Sequence, residues 1–426
     1  MHTFTNLFIV FLAATLFNFL LTKVKQPGMI GEIFAGVLLG PVFLNLINRG
    51  AAFNMLSDLG ALFLVIMVGL GISVNDLTKI LFSKVILIGI LAFLIPFLCG
   101  IGVGIYFNQG IFSSLVIGLC IAMTALPVSI KILHELGLVD SEMGRCIISA
   151  AIFDDVVAFI LFGIISNFIK SGSSSGSIII ASFASVFKGL ILLVLLFLVN
   201  YGSNWLLKKE NLAERFSRRL NNSSVSMFSI FFFFILLFSA ITELLGFHFI
   251  IGAFWGSLFV SDKIIGEQNF NKIKMACSAL SISLFTPFFF VNLGAEFRYD
   301  SISNAGLLFS ILLFSYLSKI MGGYLGGILI GQSKKLSLLI GTGLNGRGIM
   351  EIVIAKIAYE EKLINPEIFS ILIIIGIVTT LTTPIMLKSI LRPKQMKFLP
   401  ENAIGETEKR RIKTDISTNQ RESHLI

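Results

Sequence analysis

Polar residues interrupt this chain only at wide intervals. Between them lie apolar runs of about twenty residues, the length a helix needs to cross a hydrocarbon core of roughly 30 Å. A window of that length marks thirteen runs: 3–22, 30–48, 54–73, 80–107, 111–133, 145–168, 186–207, 225–244, 246–261, 276–296, 304–331, 336–358 and 366–388. The eighth and the short ninth nearly merge around Glu243–His248, which leaves twelve as the alternative count. The pattern predicts an all-α polytopic membrane protein with about 13 transmembrane helices. The first run has no A-x-A-type cleavage site behind it and reads as a retained span, not a signal peptide.

Composition agrees. Charged residues make up 13% of the chain, about half the roughly 25% of a soluble domain, which excludes a soluble enzyme, a fibre and a disordered chain. The net charge of +9 could suggest nucleic acid as a partner. However, the Lys and Arg residues sit in short loops and in the tail after Lys388, not on a basic face with interleaved aromatics. With the N-terminus placed outside, the inside loops hold sixteen Lys and Arg residues against five in the outside loops. This bias orients the chain N-terminus out and C-terminus in. The Ser171–Ser177 stretch reads as a flexible outside loop. The polar tail from about Lys394 reads as disordered or interfacial. Cys99, Cys120, Cys146 and Cys277 lie singly in or beside apolar runs, and the four histidines are scattered, so no metal-ligand spacing is present and no cofactor is expected.

A few ionisable residues fall near mid-membrane, where each costs several kcal/mol unless paired or hydrated. Asp154 and Asp155 lie about midway along the sixth run, and Lys319 is fifteen residues from both Asn304 and Lys334 in the eleventh. Adjacent helical residues point about 100° apart, so one aspartate can face a wet cavity while the other faces a partner helix. Lys319 is the partner at matching depth, and such a group of charges can exchange protons near neutral pH. A plain buried salt bridge is the competing reading, and the second aspartate argues against it. Arg347 and Glu351, spaced i,i+4 in the twelfth run, read as a structural pair supporting the site. Glu32, Glu243 and Lys356 lie nearer span ends, where snorkelling suffices.

Two runs are expected to lose regular helix at mid-depth. The fifth contains Pro127 after Thr124, and the twelfth reads Gly341-Thr-Gly-Leu-Asn-Gly-Arg-Gly348, which includes Asn345. Lipid does not tolerate free backbone groups, so such breaks must be buried in protein or line a wet cavity. Runs five and twelve are seven apart and cross in opposite directions, as do four with eleven and six with thirteen. That is the topology of an inverted repeat with broken helices meeting at a midplane site.

Several segments carry a family resemblance. They are Thr124-Ala-Leu-Pro-Val-Ser129, Ala150-Ala-Ile-Phe-Asp-Asp-Val156, the Pro27–Pro41 segment, Ile250-Ile-Gly-Ala-Phe254, Pro287–Gly294, Lys319-Ile-Met-Gly322 and Asn345-Gly-Arg-Gly348. Together they resemble the bacterial monovalent cation/proton antiporter-2 family of sodium/proton exchangers, over about residues 27–390. The resemblance implies a homodimeric, elevator-type antiporter of the bacterial inner membrane. Scaffold helices 1–3 would occupy 1–78 and 8–10 would occupy 223–298. The ion-transport core would comprise helices 4–6 (79–170) and 11–13 (299–391), with a linker helix 7 in 171–222 and a basic cytoplasmic tail in 392–426.

By the same resemblance, Asp155 is the carboxylate shared by the cation (Na⁺ or Li⁺) and the proton. Asp154 pairs with Lys319, Thr124 lies beside the site, and the paired aspartates indicate electrogenic exchange. Asn345 and Pro127 support the unwound stretches. Many relatives carry an acidic residue where this chain has Gly71. The potassium-efflux relatives carry a large nucleotide-binding domain for which this tail is too short. A K⁺ or NH₄⁺ exchanger is the nearest alternative, and a non-transporting sensor or channel a more distant one. An intramembrane aspartyl protease would place its two aspartates on separate helices, one within G-x-G-D, and this chain has no such motif.

Overall fold

The structure is a computed structural model that describes residues 3–24, 26–47, 49–72, 80, 83–126, 129, 130, 133, 138, 139, 141–171, 224–260, 266–299 and 302–391. In a hydrocarbon environment every backbone N–H and C=O needs an internal partner, and the described residues answer with helices throughout. In chain order these are α1 (Thr3–Lys23), α2 (Gly28–Leu39), α3 (Ala51–Gly71), α4 (Ile86–Tyr106), α5 (Ile111–Ala122), α6 (Glu142–Ser171), α7 (Ser224–Leu244) and α8 (Phe249–Phe259). They continue with α9 (Glu267–Glu296), α10 (Ala305–Leu329), α11 (Lys334–Gly343), α12 (Ile349–Glu360) and α13 (Pro366–Ile390). Among the described residues, seven helices are long and apolar enough to cross a membrane (α1, α3, α4, α6, α9, α10 and α13), and shorter apolar helices lie at Gly28–Leu39, Ile111–Ala122, Phe228–Leu244 and Phe249–Leu258.

The helices follow the apolar runs read from the sequence. The seventh run, Pro127 and the tail lie outside the described residues, as does most of the Ser171–Ser177 loop. The eighth and ninth runs are separate helices, because Gly246 takes a left-handed turn (φ 89°) between them. The tenth starts earlier than its apolar window and carries a π-turn at Ser281–Phe285, where the Ser281 and Thr286 hydroxyls meet at 3.1 Å.

Helix α1 shows how the faces are sorted. Phe4, Phe8, Leu12, Leu16 and Leu20 recur every fourth residue and are exposed, whereas Asn6, Val10 and Ala14 on another face are buried. An exposed apolar stripe of this kind suits lipid.

Close packing rests on small residues. The run Gly322-Gly-Tyr-Leu-Gly-Gly327 on α10 carries two interleaved glycine pairs. A Cβ on Gly326 would stand 2.6 Å from Ile88 Cα of α4, and one on Gly323 would stand 2.5 Å from Gly341 Cα of α11. Helix α10 is thereby drawn against both neighbours, which carries Lys319 into the interior. The chain divides into a unit Met1–Thr383, which holds the residues discussed below, and a unit Pro384–Ile426, whose described part is mainly the last turns of α13.

Candidate functional site

Both expected breaks are present. Helix α5 ends at Ala122, Met123–Ala125 are not helical, and helical residues resume at Leu126. Helix α11 ends at Gly343, and α12 begins at Ile349 after an irregular stretch. The two unwound stretches meet. Ala125 N–H donates to the Gly346 carbonyl at 2.8 Å, and the Thr124 hydroxyl donates to the Leu344 carbonyl at 3.0 Å. Each stretch thus satisfies part of the other's freed backbone.

Breaking α5 strands its last carbonyls, which carry the negative end of the helix dipole. Two buried cations take them. Arg347 donates to the carbonyls of Cys120 (2.9 Å) and Ile121, and also to Ser315 on α10 (3.2 Å). Lys319 donates to the Ala122 carbonyl, to Ala92 on α4 (3.0 Å) and to Asp154 Oδ2 (2.7 Å), which uses all three ammonium protons.

Arg347 and Glu351 form the expected buried ion pair, although the two do not share one regular helix. Arg347 precedes α12, its Nη1 stands 3.7 Å from Glu351 Oε1, and its hydrogen bonds go to carbonyls. A run of glycines leaves the backbone free to aim that guanidinium, which helical spacing does not anticipate. The Thr380 hydroxyl on α13 donates to the Arg347 carbonyl and holds the stretch from behind.

The two aspartates have different surroundings. Asp154 Oδ2 accepts from Lys319 and, at 2.8 Å, from the Thr124 hydroxyl. Asp155 is fully buried, and neither of its carboxylate oxygens has a hydrogen-bond partner among the described residues; Asp154 Oδ1 also has none. The amide oxygen and nitrogen of buried Asn345 are likewise unpartnered. The sequence placed Asn345 as support for the unwound stretch, and the structure adds a free polar group there.

Buried oxygens without donors suit a hard monovalent cation or a proton. No group of three or more His, Cys, Asp and Glu gathers among the described residues, so carboxylate, amide and backbone oxygens are the available ligands.

Two residues set aside as snorkelling are instead buried. Glu32 is 3% exposed and accepts from Asn18 at 2.6 Å. Lys356 is 5% exposed and paired with Glu296. Their positions near span ends hid this, because depth in the membrane says nothing about burial against neighbouring helices. Glu243 is exposed, as read.

Broken, crossing half-helices around buried carboxylates and a lysine define a membrane-embedded secondary transporter. Residues 7–392 match the family described as sodium/hydrogen exchanger, transmembrane, and the chain belongs to that family. It is a cation/proton antiporter and not an enzyme, as the sequence resemblance indicated. The chain is 27% identical over 382 residues to a Na⁺/H⁺ antiporter of Enterococcus hirae, covering 89% of this chain and 96% of that one. It is 25% identical over 387 residues to the Na⁺/H⁺-K⁺ antiporter GerN of Bacillus cereus, covering 90% and 95%. The solved structure of the sodium proton antiporter MjNhaP1 from Methanocaldococcus jannaschii at pH 8 shares the fold, with a TM-score of 0.65 at 17% identity, covering 92% of this chain and 97% of that one.

Proposed function

We propose that the chain exchanges Na⁺ or Li⁺ for protons, with Asp155 as the shared carboxylate, and that the exchange is electrogenic. The observation that carries this reading is the contrast between neighbours. Asp154 is anchored by Lys319 and Thr124, whereas Asp155, the next residue of α6, is fully buried with neither oxygen hydrogen-bonded among the described residues.

A bare carboxylate in a low-dielectric interior is costly, and a proton or a cation relieves that cost equally well. Competition for one carboxylate then couples the two fluxes, and crossing proceeds when Asp155 holds either a proton or a cation. The free Oδ1 of Asp154 offers the cation a second ligand. A cation drawing on Asp154 weakens its hold on Lys319, which then releases a second proton, so that more charge moves as protons than as cation. Arg347 keeps the α5 carbonyls neutralised throughout and acts as a positioning residue.

Alternating access proceeds by an elevator motion of α4–α6 and α10–α13 against α1–α3 and α7–α9. The protein works as a homodimer in a bacterial inner membrane, N-terminus outside. K⁺ is the second reading for the cation, favoured by the likeness to an antiporter named for both Na⁺ and K⁺.

The test is reconstitution in liposomes carrying a pH dye, with Na⁺, Li⁺ or K⁺ added in turn, with and without valinomycin to clamp the voltage. Proton efflux driven by Na⁺ or Li⁺ and sensitive to voltage is the expected result. Flux with K⁺ alone, or flux indifferent to voltage, would overturn the cation or the stoichiometry respectively.

A further inference from the structure

A second group of charges lies away from the aspartates, at the end of the bundle that the loop charges place outside. Lys356 on α12 reaches both carboxylate oxygens of Glu296, the last residue of α9, at 2.6 Å. It also reaches Glu360, one turn further along its own helix, at 2.8 Å. Arg49, which follows α2, stands 3.7 Å from Glu296 and donates to the neighbouring Ala295 carbonyl. Beside this network lies a cavity of about 100 Å³, lined by Ser57 and Asp58 of α3, His248 at the start of α8, Phe289 of α9, and Val353, Lys356 and Glu360 of α12. At this end α12 meets its neighbours across a charge pair and a void, with space for water.

We propose that Glu296–Lys356 is a conformational latch between the moving core and the scaffold, released once in each transport cycle. The proposal rests on the core-and-scaffold reading given above. Glu296 and Arg49 belong to the scaffold, and Lys356 and Glu360 belong to the core. A 2.6 Å bond across that boundary cannot survive a displacement of one body past the other.

The network is arranged so that release strands no charge. Lys356 has Glu360 on its own helix, and Glu296 has Arg49 on its own body, so each partner of the broken pair keeps a counter-ion. A buried pair without such substitutes would resist opening, because separation would leave an uncompensated charge. Across the same boundary, the stack of Phe159 on Phe254 (ring centroids 4.5 Å apart) is apolar and has no exchange partner of this sort.

This arrangement gives the two carboxylates on Lys356 opposite effects. Glu296 holds the latch closed, and Glu360 stabilises it open. The test places a single reporter, Val353→Cys, in a background lacking Cys99, Cys120, Cys146 and Cys277. The protein is held in nanodiscs, whose two faces are both open to a polar maleimide. Glu296→Gln is expected to speed labelling by about fivefold or more, and Glu360→Gln to slow it by a similar factor. Melting temperatures measured alongside exclude misfolding.

Shifts in the same direction, or no shift in either variant, would overturn the latch, because a merely structural pair moves both the same way. The transport reading fails differently. Opposite labelling shifts with exchange rates unchanged in liposomes would support the latch and remove its motion from the transport cycle. Absence of exchange in the parent protein would remove the antiport mechanism without touching the labelling.

Discussion

The ammonium of Lys319 sits 2.7 Å from Oδ2 of Asp154, and both side chains are fully shielded from solvent. The same ammonium also caps the broken end of α5 through the Ala122 carbonyl. One lysine therefore fixes a helix break and a carboxylate together, while the adjacent Asp155 has no ion-pair partner among the described residues.

Removing one member of that pair should be worse than removing both. Lys319→Ala leaves Asp154 buried and unpaired, an effect of about 3–5 kcal/mol for buried pairs. A large drop in melting temperature in detergent is expected, with substantial recovery in the Asp154→Asn/Lys319→Gln double variant. In liposomes, a Lys319→Gln protein that folds should exchange without a voltage response. An unchanged voltage response would remove Lys319 from the coupling.

Arg347 should not tolerate lysine. Its guanidinium spans carbonyls on two elements, Cys120 and Ile121 of α5 and Ser315 of α10, and an ammonium is a single point donor. Arg347→Lys is expected to lose about 1–3 kcal/mol through carbonyls left unsatisfied. Thermal unfolding checks this, and stability equal to wild type would show that the carbonyl contacts contribute nothing.

Thr124 separates hydrogen bonding from shape. Its hydroxyl lies 2.8 Å from Asp154 Oδ2 and 3.0 Å from the Leu344 carbonyl. Thr124→Val should reduce exchange by about tenfold, the equivalent of roughly 1.4 kcal/mol for one lost hydrogen bond, while Thr124→Ser stays near wild type. Equal activity in the two variants would contradict the role of the hydroxyl.

The glycine crossing between α10 and α4 can be tested by contrast. Gly326→Ala places a methyl 2.6 Å from Ile88 Cα, whereas Gly102→Ala meets nothing within 4 Å. The first should destabilise by about 1–3 kcal/mol through overpacking, and the second should be neutral or mildly stabilising. Melting temperatures of the two variants decide the point.

Much of this fold was readable because a membrane simplifies the physics. Apolar length marks a span, and charges stand out against it, so Asp154, Asp155 and Lys319 were legible, and the two breaks were legible from Pro127 and from the glycines of 341–348. The partners of those charges were less so. The Arg347–Glu351 ion pair was legible from its i,i+4 spacing. The hydrogen bonds of the same guanidinium to Cys120, Ile121 and Ser315 were not, because backbone carbonyls carry no residue-specific signal. Lys356 and Glu32 were misplaced for a related reason, because hydropathy reports the distance to water along the membrane and not the presence of a neighbouring helix.

The most direct measurement is cation-driven proton flux in liposomes for wild type, Asp155→Asn and Asp154→Asn, with folding confirmed by melting temperature. Asp155→Asn should abolish exchange with each cation while folding normally, because amide nitrogen and oxygen can neither bind the proton nor balance the cation. Exchange persisting in purified Asp155→Asn protein would contradict the assignment of Asp155 as the carboxylate shared by cation and proton.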